Sequence, residues 1–173
     1  VDGTAVSTVT KTAIDGGYKC TCTSPTLKDG SHTISVKASD NDGNAAAAKT
    51  ATFTVDTVPP TLQITAPSND LVTNKKTVTI TGKTDDVTSK PVTVTVNGAT
   101  VTVGTDGTFT KEVTLVEGAN TITIVAKDKA GKTTTVTRKV TVDTSAPVIK
   151  SITLTPNPVD CGKTFIIAVE ITD

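Results

Sequence analysis

Asp29–Asn44 reads DGSHTISVKASDNDGN, and Glu117–Lys132 reads EGANTITIVAKDKAGK, the same sentence 88 residues later (117 − 29). The segments that follow close alike, as VDTVPP (Val55–Pro60) and VDTSAP (Val142–Pro147), now 87 residues apart (142 − 55). Upstream, VDGTAV (Val1–Val6) matches VNGATV (Val96–Val101). A fixed internal period of this size marks a tandem array of supersecondary units. Residues 1–57 read as the back part of one repeat, 58–144 as a whole repeat, and 145–173 as the opening strands of a further one. Val1 already lies inside a strand-like pattern, so the expectation is an internal piece of a longer protein.

The alternation inside the repeat sets the fold class. KTVTITG (76–82) places Val78 and Ile80 on one face; VTVTV (92–96) places Val92, Val94 and Val96 on one face. Asn97-Gly98 then supplies the positive φ angles of a two-residue hairpin turn, and TVTV (100–103) returns. TFTKEVTL (108–115) alternates through Phe109, Val113 and Leu115; NTITIVAK (120–127) through Ile122, Ile124 and Ala126; TTTVTRKVTV (133–142) through Val136, Val140 and Val142. With TLQIT (61–65) in front, seven short strands are expected and no segment has helical period. Threonine alternating with valine writes a strand with one wet and one dry face. Seven strands over one such period predict an immunoglobulin-like β-sandwich. The chain as a whole is therefore expected to be all-β: tandem sandwiches, one complete and two partial, in a rod-like array with short proline-containing joints.

The whole repeat resembles the bacterial immunoglobulin-like domains of the glucodextranase-domain-B type. ITAPSNDLVTNKKTVTITG, VTVNGATVTVGTDGTFTKEVTLVEGANTITIVAKDKAGK and VTVDTSAP carry the resemblance. The first part resembles the same superfamily through DGSHTISVKASDNDGN and FTVDTVPP. The last, SITLTPNPVDCGKTFIIAVEITD, resembles the opening of Ig-like domains in structural proteins of Firmicutes prophages. These resemblances imply a fold more than an activity, because such domains serve as spacers in many proteins.

Composition excludes several functions. Lys plus Arg equals Asp plus Glu at 17 each, so no basic excess points to nucleic acid or a membrane surface. No apolar run is long enough for a transmembrane helix. Three cysteines, an odd number, make no disulfide framework. His32 is the single histidine and Asn120 stands in its place in the second repeat, so a structural strand-edge role is expected. No catalytic residues and no organic cofactor are expected, and the chain is read as no enzyme.

One stretch points to a metal. Asp40-Asn41-Asp42-Gly43-Asn44 packs oxygen donors into five residues, and Asp56 follows at the joint. An EF-hand would need a glutamate at loop position twelve, where Ala51 stands. A different calcium site from Asp40, Asp42 and Asp56 is the candidate, stiffening the joint. The competing reading is a turn that Asp, Asn and Gly simply suit. The second repeat favours the turn, since Lys129 and Lys132 replace Asn41 and Asn44 and would repel a cation.

The function expected is a non-enzymatic spacer or stalk in a surface-exposed fibre or adhesin, presenting a binding tip. A segment of a phage tail or virion fibre is the alternative, and an accessory module of a secreted polysaccharide hydrolase the third. Each places the chain outside the cell or on a virion surface. Partners would be neighbouring repeats of the same longer chain, a host-cell or glycan receptor at a tip elsewhere, and further copies in a fibre. The incomplete repeats would be completed by the continuing chain, or by head-to-tail strand donation between copies.

Overall fold

The computed structural model describes residues 1–6, 8–155, 157–158 and 161–173. Ser7, and Pro156, Val159 and Asp160 of the last segment, lie outside the described residues. Strands β1 (Thr10–Ile14) and β2 (Gly17–Thr21) form one antiparallel hairpin, and β3 (Gly30–Val36) and β4 (Lys49–Val55) a second. The complete repeat follows as β5 (Thr61–Ala66), β6 (Leu71–Thr73), β7 (Thr77–Asp85), β8 (Thr93–Val96), β9 (Ala99–Val101), β10 (Thr108–Thr114), β11 (Gly118–Lys127) and β12 (Thr133–Val142). A last hairpin pairs β13 (Val148–Thr155) with β14 (Ile166–Thr172).

Two sheets make the sandwich of the complete repeat. One has the order β10-β7-β5, the other β6-β12-β11-β8-β9. Between them lies a single core: Ile64, Ile80 and Phe109 from the first sheet meet Val94, Val96, Ile122, Ile124, Ala126, Val140 and Val142 from the second. These are the residues whose two-residue period put them on one face, and an inward face is what that period predicts. Asn97 (φ 47) and Gly98 (φ 81) make the β8–β9 turn with the positive φ angles the dipeptide implied.

The structure adds one strand to the seven expected. β6 pairs in parallel with the far end of β12, Leu71↔Val140 through Val142↔Thr73, and so belongs to the sheet opposite β5. The complete repeat thus begins in one sheet and crosses to the other within five residues, between Ala66 and Leu71. β7 also runs on past Gly82 to Asp85, because Thr61 pairs with Asp85 and the Thr84 hydroxyl donates to the Thr61 carbonyl at 2.6 Å. Where the sandwich edge opens, Arg138 reaches across it. Its Nε donates to the Pro67 carbonyl and its Nη2 to the Ile64 carbonyl, at 3.1 and 3.0 Å. That accounts for a charged residue in the Val136–Val140 register, which otherwise faces inward.

The flanking hairpins carry apolar faces that no second sheet covers in the described residues. Val36, Ile152, Ile166 and Ile171 are all exposed. Cys20, Cys22 and Cys161 are free and exposed.

Candidate metal centre at the joint between repeats

The bases of the β3–β4 and β11–β12 hairpins are each clamped by an acid just before the first strand. Asp29 accepts from the backbone nitrogen and hydroxyl of Thr57, at 3.0 and 2.9 Å. In the complete repeat Glu117 accepts from the same two groups of Thr144, at 2.9 and 2.8 Å. These bonds, the one from the Thr144 backbone first, hold the Glu117 carboxyl below the usual carboxylate range. The next acid back also caps its linker, Asp56 Oδ1 accepting from Val58 N and Asp143 Oδ1 from Ser145 N. The linker is tied at its far end too, where the Thr134 hydroxyl donates to the Pro60 carbonyl across 74 residues of chain. The bonds at the exit from a repeat recur from one joint to the next, and the entry to the complete repeat is fixed by a long-range bond.

Asp40 and Asp42 are placed by their own turn. Asp40 accepts from Asn44 Nδ2 at 2.7 Å, from Asn44 N at 2.8 Å and from Asp42 N at 3.1 Å. The bonds from Asn44, side chain first, hold the Asp40 carboxyl below its ordinary value. Both Asp40 oxygens are therefore taken, and Asp40 and Asp42 are exposed. The expected grouping of Asp40 and Asp42 with Asp56 is not the one the fold makes.

Asp56 instead meets Asp86 and Asp128. One carboxylate oxygen of each lies within 4.8 Å of the others, the one such acidic, His or Cys group among the described residues. Asp86 follows the end of β7 and Asp128 follows the end of β11, so two acids belong to the complete repeat and one to the joint before it. All three side chains are held in place. Asp86 Oδ1 accepts from Thr88 N and Ser89 N at 2.8 and 2.7 Å, and Asp128 Oδ1 from Lys132 N at 2.8 Å. All three are buried, with exposures of 9, 6 and 5%. Asp56 Oδ2 and Asp128 Oδ2 are buried with no hydrogen-bond partner. No Lys, Arg or His nitrogen lies within 4.0 Å of any of the three carboxylates among the described residues. Two unit negative charges 4.8 Å apart repel by about 3.5 kcal/mol at an effective dielectric of about 20. Buried polar atoms of this kind are rare without a counterpart.

The contrast between the two turns explains the difference in chemistry. In the first repeat Asn44 fills Asp40 Oδ2 with its amide. In the second Lys132 stands there, the amide is gone, and Asp128 Oδ2 is left open and buried. The lysine that counted against a cation in the sequence is what leaves the acid free.

His32 has a structural task. Its Nδ1–H donates to Asp2 Oδ2 at 2.6 Å and its Nε2–H to the Lys28 carbonyl at 2.8 Å. Asn120 braces the corresponding turn by donating to the Val116 carbonyl, and 116 is 28 plus 88. Acceptors on both sides require both ring protons, so the Asp2 carboxylate first, then the Lys28 carbonyl, raises the His32 pKa. The same hydrogen bond from His32 lowers that of Asp2. A raised base stabilises fully below its unfolded value and loses this as pH rises through its folded one; a lowered acid stabilises above its unfolded value. The tie between Val1–Thr4 and β3 is thus strongest between the ordinary values of 3.8 and 6.5. NMR titration of the ring protons is expected to place His32 above 6.5, and Asp2→Asn to lower it, with the Lys28 carbonyl still favouring the charged ring.

Comparison with known proteins agrees with the sandwich and its repetition. The family model described as glucodextranase, domain B, matches residues 60–144, and the one described as bacterial Ig-like domain matches residues 1–57. The chain belongs to the bacterial immunoglobulin-like repeats. Among curated proteins, bacillopeptidase F of Bacillus subtilis (strain 168) is 33% identical over 143 residues, 83% of this chain. The Ig-like chain spans only 10% of that protein's length. Similar solved structures include the fibronectin(III)-like modules of Clostridium thermocellum CbhA, at 23% identity and a TM-score of 0.43, covering 82% of this chain and 80% of theirs. Another is a tetra-tandem repeat from the extending region of a large adhesion protein, at 23% identity and 0.42, covering 90% of this chain and 49% of that one.

Sequence reading found Asp56 and missed Asp86 and Asp128 as a site. The signal was present in the repeat. Asp56, Asp86 and Asp128 correspond to Asp143, Asp173 and Asp40, whereas Asp42 corresponds to Ala130. The acids kept at equivalent positions are those that meet at the joint.

Proposed function

We propose that these Ig-like repeats are a non-enzymatic spacer of a longer extracellular protein, holding a functional part at a distance. The joint carries this reading. The clamp on Thr57 by Asp29 recurs on Thr144 by Glu117, and the linker cap of Asp56 recurs at Asp143. A chain that rebuilds its joint bond for bond at each period keeps the direction from repeat to repeat, which is what a spacer needs. Further strands of the longer chain would cover the apolar faces of the flanking hairpins. A surface fibre or adhesin presenting a tip to a host-cell or glycan receptor is the first setting; a virion fibre is the second. A third reading, an accessory segment of a secreted hydrolase, is favoured by the match to glucodextranase domain B and the likeness to bacillopeptidase F.

Excision of residues 58–144 from the native gene tests the proposal, because it removes one period and joins VDT (55–57) directly to SAP (145–147). The shortened protein is expected to keep its activity on a small soluble ligand or substrate and to lose it in part on a surface-bound target. An unrelated sandwich of the same length should restore the loss. Loss of activity on the small soluble target would overturn the spacer reading.

A further inference from the structure

We infer that Asp56, Asp86 and Asp128 bind one calcium ion, which ties the complete repeat to the joint before it. This stands whichever protein the spacer belongs to, because it rests on the joint alone.

Three observations carry it. The donors are all carboxylate oxygens, a set suited to hard cations. Their mutual distances, all within 4.8 Å, let one cation lie between them: oxygens on a single calcium stand at most about 4.6–5.2 Å apart, against about 4.0–4.2 Å on magnesium. Most telling, the Oδ2 atoms of Asp56 and Asp128 are buried and unpartnered, while Oδ1 of both is fixed by a backbone N–H. Each acid is thus oriented by one oxygen and left open at the other. Backbone carbonyls, second carboxylate oxygens and water would complete a shell of six to eight oxygens.

Two of the three positions recur at the next joint. β5 and β7 pair Thr61 with Asp85, and β13 and β14 pair Val148 with Thr172. Both positions shift by 87 (148 − 61 and 172 − 85), which places Asp173 where Asp86 stands. With Asp143 in the place of Asp56, the second joint holds two acids of the same set.

The test uses the whole chain, freed of divalent cations by a chelator and titrated with calcium chloride in a calorimeter and in thermal melts. One calcium per chain is expected, with a dissociation constant between about 10⁻⁵ and 10⁻³ M. At ten times that constant the complete repeat should melt about 5–10 °C higher. Asp128→Asn and Asp56→Asn should each weaken binding at least about tenfold. In chelator both should melt no lower than the parent, since each removes one of three crowded charges; that keeps a binding loss distinct from a folding loss. Asp42→Asn should bind as the parent does. No heat and no thermal shift at about 10 mM calcium, or unchanged binding by Asp56→Asn, would refute the assignment. An equal response to magnesium would refute the choice of calcium.

Discussion

Replacing Gly82 by valine is expected to abolish the cooperative melt of the complete repeat. Gly82 lies in β7, the central strand of its sheet, paired with Phe109 on one side and Ile64 on the other. A Cβ there would stand 2.6 Å from the Gln63 carbonyl oxygen, 2.7 Å from Phe109 Cζ and 3.0 Å from Ile64 Cδ1. The nearest of these atoms is backbone, so the clash is relieved only by parting β5 from β7. Both apolar neighbours belong to the core, and moving them opens the space they fill. Overpacking costs about 1–3 kcal/mol where side chains can give. Here a ladder must shift as well, which takes the loss toward the total stability of a small domain. Gly98→Ala is the control: nothing lies within 4 Å of its Cβ, although its φ is +81. It should cost only about 1 kcal/mol, from the backbone conformation alone. Far-UV circular dichroism during heating reads both, and a native-like melt of Gly82→Val would overturn the tight approach of β5 to β7.

Ile124→Ala should cost about 2–5 kcal/mol, the usual range for emptying a buried isoleucine site. Ile124 is fully buried in β11, flanked by Val96 on β8 and Val136 on β12. Strands on both sides hold its surroundings, so little collapse into the cavity is available. For a repeat of this size the melting temperature should fall on the order of 10–25 °C. Val125→Ala, one residue on and facing the other way, should cost about 1 kcal/mol or less. Denaturant unfolding of the two variants separates them, and equal losses would mean the register of β11 is wrong.

The contrast between Ile124 and Val125 shows why most of the fold was legible. A period of two residues assigns every side chain to a face, and the threonine–valine alternation carries that period through β7, β8, β10, β11 and β12. β6 was not legible. Leu71–Thr73 is too short for a period to show, and its parallel partner lies nearly 70 residues further on, at Val140–Val142. The joint was half legible for a related reason. Asp40 and Asp42 were weighed with their sequence neighbours, and Asp85-Asp86 reads as an ordinary polar loop pair. Burial by a long-range approach of three chain segments gives Asp56, Asp86 and Asp128 their character. Local composition has no means of expressing that. By its charge Lys132 argues against a cation, whereas its effect at Asp128 is the side-chain hydrogen-bond donor it fails to supply.

The parallel pairing of β6 with β12 bears on how the repeat answers to tension. In an array, pull reaches this repeat through Pro60 at one end and Asp143 at the other. Leu71–Thr73 is then drawn one way and Val140–Val142 the opposite way, along the strands and across their hydrogen bonds. The Asp143 nitrogen, donating to the Thr73 carbonyl at 3.0 Å, extends that ladder by one more rung. Loaded in shear, the rungs share the force and break together, where an antiparallel hairpin pulled from its open end would unzip one rung at a time. Single-molecule stretching should therefore record a distinct peak for this repeat, and one that Thr73→Pro leaves in place would point to another ladder as the mechanical clamp.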